Sequence, residues 1–217
     1  MKNHIAYDIL FQTLDFSVLP GLEAQIMMAP VDRRDEIRSM GVGQEPVLSS
    51  VLLLVYPDAK GQATTVFIQR PSYNGVHSGQ ISFPGGRFET EDNNLQRTAL
   101  REAREEIGID DNAVTIIGKL TDLYIPPSNY LVHPFVGVTP KMPEFMSDPK
   151  EVSRIITFPL SDFLNKDYLR ELPIKLASGK LLHTPCYHID GVVIWGATAM
   201  MMSEFMLLVA EALKKGA

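Results

Sequence analysis

One cysteine, one tryptophan and a shortage of positive charge are the scarcities of this 217-residue chain. A lone Cys186 can form neither an intramolecular disulfide nor a cysteine-rich metal site. Twenty Lys and Arg stand against 26 Asp and Glu, a net charge of −6. That balance leaves no broad basic face to gather phosphate backbones, so nucleic acid is not expected as a partner. Repeats and low-complexity segments are missing, and Asp8 and Gln12 interrupt any apolar leader-like run near the N-terminus. These absences predict a cytoplasmic protein. No membrane partner is expected either, although residues 191–210 are apolar and about the length of a span. Glu204 falls in the second half of that stretch, where a carboxylate would cost roughly 2.5–3.5 kcal/mol. The β-branched Val192, Val193 and Ile194 followed by helix formers from Met200 onward predict a strand and then a helix.

What is present suits a layered domain: 45% hydrophobic and 21% charged residues, enough to bury a core. Ile5, Ile9, Leu10 and Leu14 recur at helical spacing, and after Leu19-Pro20-Gly21 the apolar pattern resumes, which predicts an N-terminal helical segment. Residues 32–46 read as a polar connection, so the chain divides into residues 1–45 and a main body of 46–217 within one domain. Strands are expected over residues 51–55, 64–68, 81–83, 114–123, 131–138 and 192–195, with a short helix near 161–164 and a turn at Ser178-Gly179. A Pro-rich loop between Val138 and Glu151 is long enough for a lid and equally suits a plain surface connection. Strands interleaved with helices make the fold class α/β or α+β.

After the turn Pro84-Gly85-Gly86, residues 95–107 carry Leu95, Ala99, Ala103 and Ile107 as an apolar ridge, with Gly108 as a stop. On that helix Glu102, Glu105 and Glu106 fall within roughly 100° of arc. Like charges at this spacing are mildly destabilising, and Arg101 and Arg104 offset part of the cost. Two readings follow from the phase alone: a solvated acidic face, or an oxygen-ligand site for a hard cation such as Mg²⁺ or Mn²⁺.

The residues themselves separate the two. Gly86 followed by Arg101-Glu102-Ala103-Arg104-Glu105-Glu106-Ile107-Gly108-Ile109 resembles the Nudix box. Six identities, at a usage of roughly one in fifteen each, coincide by chance about once in ten million windows. Asp92 stands where that pattern has Glu, and eight residues rather than seven separate it from Arg101. The extra residue falls where the glycine loop enters the helix, so the loop should absorb it. The segments 79–86, 98–103, 133–137 and 194–199 resemble the coenzyme A pyrophosphatase branch of the family. In the upstream part of that signature, Gly75 stands where a second Arg belongs, after Arg70.

The resemblance implies an α/β/α sandwich around a mixed sheet and metal-dependent hydrolysis of a small-molecule diphosphate. Coenzyme A is the first expectation, and ADP-ribose, a dinucleotide or a nucleoside triphosphate the second. A catalytically silent sensor of a nucleotide is an alternative of another class. It further implies that Glu102, Glu105, Glu106 and Gly86 hold Mg²⁺ or Mn²⁺, and that Glu105, or else Glu151, is the general base. Arg101 is expected to orient the glutamates, and Arg70, Arg87 and His77 to contact substrate. The family also admits a homodimer. His133, His183 and His188 lack metal-ligand spacing and are expected to be structural, and Cys186 has no visible activating partner.

Overall fold

The apolar run expected at residues 51–55 lies inside the long strand β1 (Val47–Pro57). A strand apolar on both sides must be covered on both, and successive side chains of β1 do enter two different cores. Leu52, Leu54 and Tyr56 face one, Leu53 and Val55 the other. The computed structural model describes residues 4–71, 79–176, 179 and 181–215. Within them, β1 pairs antiparallel with β2 (Ala63–Gln69) and parallel with β7 (Tyr130–Val138), so the sheet is mixed. β3 (Ile81–Ser82) and β8 (Arg154–Pro159) add to β2, and β4 (Gly85–Arg87) adds to β1. β5 (Thr115–Lys119) and β6 (Leu123–Ile125) add to β7.

Helix α4 (Leu95–Ile107) covers one face, its small Ala99 and Ala103 letting it sit close to Leu52 and Leu54. The other face carries α1 (Tyr7–Thr13), α2 (Gly21–Gln25) and α6 (Gly196–Lys215). This is the α/β/α layering anticipated. A second, antiparallel sheet of β9 (Leu169–Lys175), β10 (Leu181–Ile189) and β11 (Val192–Trp195) lies beside it. Only β11 was legible in sequence. β9 carries Pro173 and is mostly exposed, which erases the usual strand signal. The helix near residue 161 is α5 (Leu160–Phe163). Of the expected turn at Ser178-Gly179, Ser178 lies outside the described residues.

Two expectations are corrected. Residues 32–46 are not a bare connection, because α3 (Arg34–Ser39) follows a 3-10 turn at Val31–Arg33. Ion pairs at helical spacing, Arg33 with Glu36 at 3.0 Å and Arg38 with Asp35 at 2.9 Å, support these turns, and Ile37 packs, partly buried, against the core. The single strand expected over 114–123 is two: β5 passes through a bulge between Ile116 and Gly118 and pairs on to Lys119, and β6 resumes the pairing at Leu123.

α6 is long and apolar enough by composition to cross a membrane, yet 67% of that window is buried in the protein. Glu204, fully buried in its middle, accepts hydrogen bonds from Gly21 N–H (3.1 Å), Gln25 Nε2 (2.8 Å) and Thr121 Oγ1 (2.7 Å). One carboxylate thus ties the N-terminal segment, the β5–β6 link and α6 together. Removing it leaves buried donors without an acceptor, at about 1–3 kcal/mol. Glu204→Ala is therefore expected to lower the unfolding midpoint by roughly 2–12 °C for a chain of this length. Thermal unfolding followed by circular dichroism measures this, and an unchanged midpoint would contradict the tie.

Candidate active site

The site is assembled where β4 meets α4. Asn94 caps α4 by accepting from Arg97 N–H, and a 3-10 turn at Thr90–Asp92 precedes it. Asn93, between that turn and the cap, stands at φ +63°. At the far end Gly108 ends the helix in the left-handed region (φ +71°). Met146 in the Pro-rich loop donates its N–H to Ile107 O at 3.0 Å. Phe145 packs edge-on against Tyr56. This part of the loop is therefore docked on the end of α4.

Arg101 is the hub. Its Nε and Nη2 grip Asp92 in a fork (2.6 and 3.0 Å), and Nη2 also donates to Arg87 O at 3.0 Å. Nη1 reaches Glu102 Oε1 at 3.0 Å and Glu105 Oε2 at 2.9 Å. Asp92 is buried, and its bonds from Arg101 hold its carboxyl down at about 2. In the sequence Asp92 stands out as a departure from the general motif, one that is similar to the coenzyme A pyrophosphatase branch. In the fold it anchors the arginine, and its capping bonds with Glu89 plus the Thr98 hydroxyl at 2.8 Å complete the seat. Arg104 contributes little: it lies 3.8 Å from Glu105 and 3.7 Å from Asp111.

The three glutamates fan across α4 from core to solvent. Glu106 is buried at 4% exposure, Glu102 is half-buried and Glu105 is exposed. Glu106 accepts from Gly85 N–H at 2.8 Å. Burial pushes its carboxyl up to about 8, and the charges of Glu102 and Glu151 push the same way while Arg70 opposes them. Burial also raises Glu102, again with Glu105 and Glu151 contributing. Arg70 and Glu151 come near because β2 and β8 pair with Gln69 opposite Arg154, and Ser153 N–H donates to Gln69 O at 2.9 Å. Gly86 is required at its position: a Cβ there would overlap the Glu102 carboxyl group. Since that carboxylate is the flexible end of a side chain, Gly86→Ala is expected to fold normally while displacing Glu102. Its hydrolytic rate should fall at least tenfold, to be checked by steady-state kinetics beside a melting curve.

The donor set suits a hard cation, being carboxylate oxygens that repel one another on one face of α4, with Glu106 buried and Glu102 half-buried. Among the described residues no three acidic or imidazole groups already form a closed ligand cluster, as Arg101 holds Glu102 and Glu105 while Glu106 turns to Gly85. Arg87 is exposed at the loop edge. His77 and Gly75 lie outside the described residues. His133, expected to be structural, bonds through Nδ1 to Asp122 at 2.8 Å. Cys186 is buried, and burial pushes its thiol up, which fits no nucleophilic role.

Residues 48–177 match the NUDIX domain model, a span that takes in the glycine loop, α4 and Glu151. The chain belongs to the Nudix hydrolase family. It is 33% identical over 145 residues to the Nudix hydrolase NudL of Photorhabdus laumondii, covering 67% of this chain and 76% of that protein. NudL of Yersinia pestis is 32% identical over 142 residues, 65% of this chain and 70% of the relative. Among solved structures, a Nudix hydrolase from M. smegmatis, RenU, superposes with a TM-score of 0.54 at 12% identity, covering 77% of this chain and 96% of that one. A C. elegans Ap4A hydrolase gives 0.50 at 14% identity, over 76% and 98%. These two show a shared fold. As a Nudix hydrolase the protein acts on diphosphate linkages, and members of this family generally use divalent metal ions.

Proposed function

We propose that this Nudix hydrolase is a cytoplasmic, single-domain enzyme that splits coenzyme A or an acyl derivative into a phosphopantetheine fragment and adenosine 3′,5′-bisphosphate. The observation that carries the hydrolytic part is the carboxylate fan of α4 set against the Gly85-Gly86 loop and clamped by Arg101. Support for coenzyme A comes from the four segments 79–86, 98–103, 133–137 and 194–199.

Glu102 and Glu106, with Glu105 and the Gly86 carbonyl, would hold Mg²⁺ or Mn²⁺. When bound, such an ion supplies the positive charge that a net-acidic protein needs against bridging phosphates, and it acidifies water. Glu105, the exposed member of the fan, takes the proton from the attacking water. Glu151, whose charge reaches both Glu102 and Glu106, is the alternative base. Arg101 does not reach for substrate, because its nitrogens are engaged with Asp92, Arg87 O, Glu102 and Glu105. It keeps the glutamates oriented. Arg70, near Glu106, and Arg87 at the loop edge are the phosphate contacts, with His77 the third.

The test is a product assay with Mg²⁺ or Mn²⁺ and, separately, coenzyme A, ADP-ribose, NADH and nucleoside triphosphates. Release of adenosine 3′,5′-bisphosphate from coenzyme A faster than any other turnover is expected. Faster cleavage of another diphosphate would overturn the coenzyme A assignment and make Gly75 the mark of a different specificity. No turnover of any of them would overturn the enzymatic reading in favour of a sensor.

A further inference from the structure

A second concavity lies on the face of the sheet opposite α4, remote from the carboxylate fan. It is a half-open concavity of about 440 Å³ between the N-terminal turn at Met27-Met28, α5, β9, β10 and α6, within the usual range for small-molecule sites. Its floor is apolar: Phe163 and Tyr187 meet edge-to-face at 5.0 Å, with Leu164 and Pro185 beside them. Its mouth is apolar too, since Met27 and Leu169 are 55% and 47% exposed, a cost in water that a bound apolar group would remove.

Around this lining stand three cations, Arg34, Lys166 and Arg170, and a single acid, Glu171, in a protein whose net charge is −6. The hydrogen bonds of Arg34 go to Met27 O (2.8 Å) and Ala29 O (3.4 Å), and that of Arg170 goes to Leu169 O (3.1 Å). These are carbonyls, which fix the guanidinium groups without neutralising them. Among the neutral polar groups of the lining, Asn165 accepts through Oδ1 from Asp167 N–H, and Tyr187 bonds with Ser203. The unmatched properties are apolar surface and positive charge.

We propose that this cavity binds a small organic anion consisting of an apolar chain and one carboxylate. The acid group meets Lys166, Arg170 and Arg34, and the chain lies over Phe163, Leu164 and Pro185. Met27 at the rim and Met28 buried behind it, flexible and polarizable, adapt to the chain. This site does not depend on the hydrolytic centre, and it is separated from it by the sheet.

Titration of the full-length protein with decanoate, below its micelle concentration, tests the proposal by calorimetry and by NMR of the methionine methyl groups. Saturable binding that shifts Met27 and Met28 is expected, at least tenfold tighter than 1-decanol, with acetate showing none. The double charge reversal Lys166→Glu/Arg170→Glu should weaken decanoate at least tenfold while leaving diphosphate hydrolysis at the wild-type rate. Both residues are exposed, so folding is retained, and Lys166→Met/Arg170→Met provides a neutral control in which binding also weakens. Glu105→Gln should bind decanoate as the wild type does. Equal affinity for decanol and decanoate, unchanged affinity in the double variants, or loss of binding in Glu105→Gln would each overturn it.

Discussion

Glu106→Gln is expected to lower diphosphate hydrolysis by at least 10²-fold, and Glu105→Gln by roughly 10²–10⁴-fold if it is the base, both in folded protein. The two are separable by a second measurement. Glu106 is buried with its carboxyl pushed up to about 8, whereas an unfolded glutamate titrates near 4.5. Between these values the folded, metal-free chain binds more protons than the unfolded one. Its stability is therefore greatest below about pH 4.5 as far as this group is concerned, and is lost as pH rises toward 8. The loss amounts to at most ~1.4 kcal/mol per pH unit. Glu106→Gln removes that slope, since its amide carries no charge to bury, and still offers an oxygen to Gly85 N–H. Added Mg²⁺ should raise the melting temperature of the wild type more at pH 8 than at pH 5, and should do much less for Glu106→Gln. Melting curves at pH 5, 6.5 and 8, with chelator or with Mg²⁺, check this. Equal pH slopes in the wild type and Glu106→Gln would remove the buried-carboxylate argument, whatever the kinetics show.

Arg101→Ala is expected to have the largest effect on stability, about 3–5 kcal/mol, because it leaves the buried Asp92 carboxylate without its partner. For a chain of this length that is a fall of roughly 6–20 °C in melting temperature. Arg101 also separates the negative charges of Glu102 and Glu105, so activity should fall together with stability. Arg101→Lys keeps the charge and loses the fork to Asp92, and should recover only part of either. The double variant Arg101→Ala/Asp92→Asn provides the control. Removing the stranded charge should return a good share of the stability without returning the activity. If Arg101→Ala melts within 1–2 °C of the wild type, Asp92 is not dependent on it.

The central strands, the box helix and the strand-to-helix passage into α6 were legible because each carries a local pattern: a continuous apolar run, a four-residue apolar ridge, and β-branched residues giving way to helix formers. β9 was not, since Pro173 and its exposed alternating charges remove the period that marks a buried strand. α3 was hidden for a similar reason: ion pairs and the single partly buried Ile37 hold it, and charged residues in a row look like a linker.

The sequence by itself determined the family, the identity of the acidic residues and their common arc on one helix, because motif spacing and the helical repeat are local properties of the chain. It could not rank those acids. That Glu106 is buried and Glu105 exposed depends on which side of α4 meets the sheet. Only pairing between distant segments brings Arg70 and Glu151 to the carboxylates. The same holds for Asp92, a mismatch in the motif and an anchor in the fold, and for Glu204, whose donors come from residues 21, 25 and 121. Desolvation and hydrogen-bond partners are set by what packs against a residue, and that is decided only when the layers close.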